Sequence, residues 1–193
     1  LKQRLSSAIS IKLGLAIAIG VTASIALAPT LASGAGELGP ANTVYIKDGK
    51  GGLRFEAPKT IAQGQELEVL NQTNPKQVGP HTFSLVTKGS IPTTPKARQT
   101  CFTPKHICLA IAKWHGTSGN GPITKNPVKA GAEGWDTMGS VTKTGDSWFT
   151  GEKKAGTSIV EPVTAAAGTT IYFMCAVHPW MHGSFEVTPP ATS

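Results

Sequence analysis

The stretch Tyr172-Phe-Met-Cys-Ala-Val-His-Pro-Trp-Met-His-Gly183 decides how this chain is read. It closes one strand candidate, Thr169 to Cys175, and opens another, Gly183 to Thr188. Both are rich in the β-branched and aromatic residues that suit a pleated, half-buried surface. Working outward, the same texture recurs in Thr43-Val-Tyr-Ile-Lys47, Leu53 to Ala57, Glu66-Leu-Glu-Val-Leu70, His81 to Val86 and Ser158 to Val163. Residues 66–70 alternate polar and apolar with the period of a strand that has one buried face. Gly-rich turns and the polar, Pro-bounded loop Asn71 to Pro80 separate these runs. Only 15% of residues are charged, against 22 Gly and 14 Pro, which favours many turns over a helical bundle. The expected fold class is all-β, a β-sandwich of short strands.

Residues from about 88 to 158 break the rhythm. They are rich in Gly, Pro, Lys and Thr, with Trp114, Trp135, Trp148 and Phe149 scattered among them. This stretch reads as a long insertion lying over the sheet. One short helix is expected in it, with Thr103 as N-cap and Pro104 as first residue, so that Ile107, Ile111 and Trp114 share a face.

Within the opening stretch, Cys175, His178 and Met181 stand at even three-residue intervals on a tight loop between two strands. A thiolate, an imidazole and a thioether suit copper in both oxidation states. Two His and one Cys with a weak axial Met form the arrangement used for one-electron transfer. The missing imidazole is assigned to His81, which starts a strand directly after Gly79-Pro80. Zinc accepts Cys and His but seldom Met. His106 and His115 are isolated in sequence and expected to be non-ligands. His182 is expected to be exposed, although as a neighbour of Met181 it is a competing donor.

The N-terminus has the order of an export signal: basic residues, the apolar run Leu13 to Ala28, then small residues around Ala32-Ser33. Residues 1–32 are read as a signal peptide or a membrane anchor, 33–42 as a flexible lead-in, and 43–193 as the folded domain. The expected location is periplasmic or otherwise extracytoplasmic. In that setting Cys101 and Cys108 are close enough in sequence to pair, which leaves Cys175 alone. The formal net charge is +7, with Lys2, Arg4 and Lys12 contributing at the unbalanced N-terminus. No basic cluster interleaved with aromatics suggests nucleic acid.

The segment 172–183 resembles the C-terminal ligand loop of the cupredoxins. Its Cys-x-x-His-x-x-Met spacing, with Pro after His, is similar to the short loop of amicyanin; plastocyanin and azurin have longer loops. Ile61 to Asn71, followed by Gly79-Pro-His-Thr-Phe83, resembles the family's first ligand region. The resemblance covers about 43–87 and 158–188. It implies a Greek-key sandwich holding one copper ion, Cu(I)/Cu(II), with His81, Cys175 and His178 equatorial and Met181 axial. Thr82 stands where the family often has an Asn that ties the ligand loops together, and its hydroxyl is expected to do similar work.

The implied function is that of a mononuclear type 1 copper protein shuttling single electrons between redox proteins, not an enzyme. Partners are expected to dock at an apolar patch around His178 and Trp180, and a membrane is involved only if the N-terminal segment stays uncleaved. Two alternatives remain open: a copper carrier for delivery, and a copper redox enzyme with an open site. Coupled copper enzymes place His beside the thiolate Cys, whereas here the neighbours are Met174 and Ala176.

Overall fold

Alternation of apolar and polar residues along short runs makes one face of each strand seek a partner surface, and here the partner is a second sheet. The computed structural model describes residues 42–118, 129–151 and 156–190. The chain divides into Leu1–Ala35 and Gly36–Ser193. The expected signal or anchor, and residues 33–41 of the lead-in, lie outside the described residues. No helix among the described residues is long and apolar enough to cross a membrane.

The first sheet contains β1 (Thr43–Lys47), β2 (Arg54–Glu56), β4 (Glu66–Asn71) and β8 (Ser158–Pro162) in the order β2-β1-β4-β8. β1 and β4 run parallel, with Val44 opposite Val69; the β1–β2 and β4–β8 pairs are antiparallel. The second sheet has the order β3-β10-β9-β5-β7-β6. Its strands are β3 (Thr60–Ala62), β5 (Thr82–Leu85), β6 (Lys129–Ala130), β7 (Ser147–Phe149), β9 (Thr170–Met174) and β10 (His182–Thr188). The expected all-β sandwich is thus the fold observed.

The inner faces meet in one core. Val44, Ile46, Leu67 and Val69 from the first sheet join Phe83, Leu85, Ile171, Phe173, Phe185 and Val187 from the second. Phe55 crosses the gap, edge-on to Phe83 at 5.9 Å and to Phe173 at 5.2 Å between ring centroids. Such pairs add about 0.5–1.5 kcal/mol each beyond the area they bury. Cys175 and Met181 belong to this same core, so two of the candidate donors sit at its edge.

The second sheet buries its outer face as well. Met174 and Phe149 point outward and pack with Val86, Cys101, Ile107, Cys108 and Ile111 in a separate cluster. The helix behind this cluster is α3 (Ile107–Trp114), following α1 (Pro75–Val78) and α2 (Pro95–Gln99). The expected disulfide is present between Cys101 and Cys108.

The insertion lies over the sheet as expected, but it also lengthens that sheet by two strands, β7 on β5 and β6 on β7. The expected helix start at Pro104 is displaced to Ile107. Lys105 has φ +69°, which a right-handed helix cannot contain. The Thr103 hydroxyl donates to the Thr100 carbonyl at 2.7 Å and does not cap the first turn. Ile107 and Ile111 are buried on one face, and Trp114 packs against the same cluster. The Thr-Pro signal operates instead one helix earlier: Thr94 accepts the Ala97 N–H at 3.1 Å, with Pro95 opening α2. In the loop 71–80, Asn74 and Pro75 likewise start the short helix α1.

Candidate metal centre

Each candidate donor is placed by a strand end. His81 immediately precedes β5, Cys175 immediately follows β9, and His178 lies in the loop joining β9 to β10. That loop is closed by two backbone bonds, Cys175 N–H to the Met181 carbonyl at 2.9 Å and Met181 N–H to the His178 carbonyl at 2.8 Å. Because β5 and β9 are adjacent and antiparallel, the β5 start and the β9 end are neighbours in space. His81, Cys175 and His178, which are distant in sequence, therefore meet with their donor atoms within 4.8 Å of one another, all buried. Both imidazoles turn Nδ1 to the sulfur, at 3.8 Å for His81 and 3.6 Å for His178.

The surroundings fix the His81 ring. Its Nε2 lies 3.0 Å from the Thr73 hydroxyl. That hydroxyl donates its own proton to Asn71 Oδ1 at 2.8 Å, so toward His81 it accepts. The proton of neutral His81 therefore sits on Nε2, and the Nδ1 lone pair faces the sulfur. The His81 backbone is held as well: its N–H donates to the Thr150 hydroxyl at 2.9 Å, and its carbonyl accepts the Thr150 N–H at 3.0 Å. Nothing in sequence marks Thr73 or Thr150; their roles come from loop closure and from strand pairing across the insertion.

Burial dominates the protonation of the three groups. It holds His81 down to about 3, helped by the neighbouring His178, and also lowers His178 against the pull of the Val78 carbonyl. It pushes the Cys175 thiol up to about 11, opposed by hydrogen bonds from the backbone N–H groups of Thr82, His178 and Val177 and from the Thr82 side chain. The Thr82 N–H lies 3.4 Å from the sulfur. Two neutral imidazoles and a thiol surrounded by donors form a buried cluster whose sulfur would give up its proton on holding a cation.

The donor set, one buried sulfur and two buried imidazole nitrogens, fits copper chemistry, and the three residues form a candidate copper site. Met181 is buried beside Cys175 in the core. His182 is exposed on β10, its ring held below the ordinary range by partial burial and by Arg98. His106 is exposed and contacts the Thr103 hydroxyl, and His115 is buried against Ser147; neither joins the cluster. His178 is 8% exposed and touches Trp180, which is 48% exposed, edge-on at 5.2 Å.

No protein-family model matches the chain, and no curated protein matches it. Solved structures do. One is a reduced auracyanin from the photosynthetic bacterium Roseiflexus castenholzii, 17% identical, with 78% of this chain and 100% of that chain covered and a TM-score of 0.37. Another is auracyanin A, described as a "blue" copper protein, from the green thermophilic photosynthetic bacterium Chloroflexus aurantiacus (14% identity, 76% and 96% covered, TM-score 0.37). A third is auracyanin B (13% identity, 76% and 87% covered, TM-score 0.37). What the site can do follows from its own donors.

Proposed function

We propose that this protein is an exported electron carrier holding one copper ion in a type 1 site, with His81, Cys175 and His178 equatorial and Met181 axial. One observation carries the reading: a buried thiol and two buried imidazoles bring their donor atoms within 4.8 Å of one another, with both Nδ1 atoms turned to the sulfur. The loop spacing, similar to that of amicyanin, supports Met181 as the fourth ligand. Bound copper would supply one-electron Cu(I)/Cu(II) chemistry. The residues supply a rigid frame, since strand ends position the donors and Thr73 fixes one ring. They also keep water out, because His81, Cys175 and Met181 are at most 2% exposed.

Electrons enter and leave at the His178 edge, where Trp180 offers an exposed apolar contact for a redox partner. The Cys101–Cys108 bridge supports work in an oxidising compartment, periplasmic or otherwise extracytoplasmic. The test is the optical and paramagnetic spectrum after copper loading. A strong thiolate-to-copper band with narrow hyperfine splitting is expected, and its loss in Cys175→Ser. A colourless wild-type protein overturns the reading, and rapid surrender of copper to a chelator favours delivery over electron transfer.

A further inference from the structure

The outer face of β5 carries Thr82 and Ser84, two polar residues that the insertion buries completely. A chain of hydrogen bonds runs through them. His115 Nε2 lies 2.8 Å from the Ser147 hydroxyl, Ser147 lies 2.7 Å from Ser84, and Ser84 donates to Thr82 at 2.9 Å. The Thr82 hydroxyl also accepts the Ala176 N–H at 2.8 Å. His115, Ser147, Ser84 and Thr82 are all inaccessible to solvent.

Proton counting gives this chain a direction. Each hydroxyl has one proton to donate. Ser84 donates its proton to Thr82, so its contact with Ser147 is one in which Ser147 donates. Ser147 has then used its proton, so His115 Nε2 must carry the hydrogen between them. At the other end Thr82 accepts twice, from Ser84 and from Ala176. Its own proton is left for the Cys175 sulfur, which already receives the Thr82 N–H. Without the ring N–H at the far end, Thr82 could donate backwards to Ser84 and abandon the sulfur.

We propose that His115 is a positioning residue for the metal centre, its ring N–H setting the polarity of a buried His115–Ser147–Ser84–Thr82 relay that ends as a hydrogen bond to Cys175. The inference rests on the copper reading for its effect on potential. A donor aimed at the sulfur favours the reduced, more negative site and so raises the potential. The insertion thereby acts on a centre to which it contributes no ligand.

The test uses the full-length copper-loaded chain with Ser147→Ala, His115→Phe, the double variant, and His115→Gln, which keeps an N–H. Each single break should lower the reduced-to-oxidised ratio about threefold at fixed potential, which is about 28 mV at 59 mV per decade for one electron. The copper–sulfur stretching frequency should shift with it. The double variant should do no more than either single one, and His115→Gln should restore much of the loss. Unchanged potentials in folded Ser147→Ala, or fully additive shifts, overturn the relay. Should the wild type take up no copper, the metal-free protein still decides by NMR. The relay requires a slowly exchanging Thr82 hydroxyl proton and His115 carrying hydrogen on Nε2, and Ser147→Ala should speed that exchange. A rapidly exchanging proton in the wild type overturns the relay independently of the metal.

Discussion

The Thr82 hydroxyl accepts the Ala176 N–H at 2.8 Å. Thr82 follows His81 and Ala176 follows Cys175, so one bond ties together the two strand ends that bear these donors. Replacing Thr82 with Val keeps the shape and removes the acceptor. The buried Ala176 N–H then loses its partner, which costs about 1–3 kcal/mol. Denaturant unfolding of the metal-free protein should show this loss, and a midpoint equal to wild type would show that the tie contributes nothing.

Metal uptake should release about one proton per ion at neutral pH. Burial keeps the Cys175 thiol protonated, with its ionisation pushed up to about 11, while both imidazoles are already neutral. Calorimetric titration in buffers of different ionisation enthalpy reads the number directly. Release near zero from the wild type would mean that the sulfur is not a ligand; Cys175→Ser should show that behaviour.

The metal-free protein should lose stability on mild acidification. His81 accepts a proton only near 3 when folded, against an ordinary value of 6.5. Between those values the unfolded chain binds more protons, so stability rises with pH across the window and falls as pH drops through it. The slope is about 1.4 kcal/mol per pH unit from this residue while only the unfolded chain is charged there. Urea midpoints measured from neutral to acid should follow it, and His81→Gln should flatten the curve. A wild-type profile already flat would contradict the assigned burial.

The Cys101–Cys108 bridge closes a short loop, with a sequence separation of 7, at the entry to α3. Loop-closure entropy assigns such a bridge about 2 kcal/mol. Replacing both cysteines with Ala should lower the unfolding free energy, read from denaturant titration, by that amount. Wild type and variant should become alike under reducing conditions.

Trp180→Glu places a charge beside the His178 edge while leaving all four proposed ligands in the sequence. On the proposed function, self-exchange between two copies would bring this patch against itself, so like charges would then face each other. The exchange rate should fall roughly tenfold at low salt while the visible band stays unchanged. NMR line broadening in mixtures of oxidised and reduced protein measures the rate. An unaltered rate would move the electron port elsewhere.

Seven of the ten strands among the described residues were legible as alternating or β-branched runs, because burial of one face imposes a period of two on the sequence. β3 was not legible, since only Ile61 of its three residues is buried and pairing with β10 is what makes it a strand. β6 and β7 were hidden in the insertion for the same reason: their definition comes from neighbours, not from their own pattern. The start of α3 was misread because a Thr-Pro pair signals a helix only if the next residues can enter one, and Lys105 does not.

The even spacing of Cys175, His178 and Met181 was readable without coordinates, since a tight loop between two strands keeps its donors local. His81 was readable as the second imidazole from its place after Gly79-Pro80, but its meeting with Cys175, the fixing of its ring by Thr73, and the chain from His115 to Thr82 were decided only when β5 came to lie between β9 and β7. Hydrogen bonds between groups up to 94 residues apart leave no periodic trace in a sequence, because their geometry is created by the packing of sheets. Local order determined the kind of chemistry, and long-range strand pairing determined where its second imidazole and its supporting hydroxyls stand.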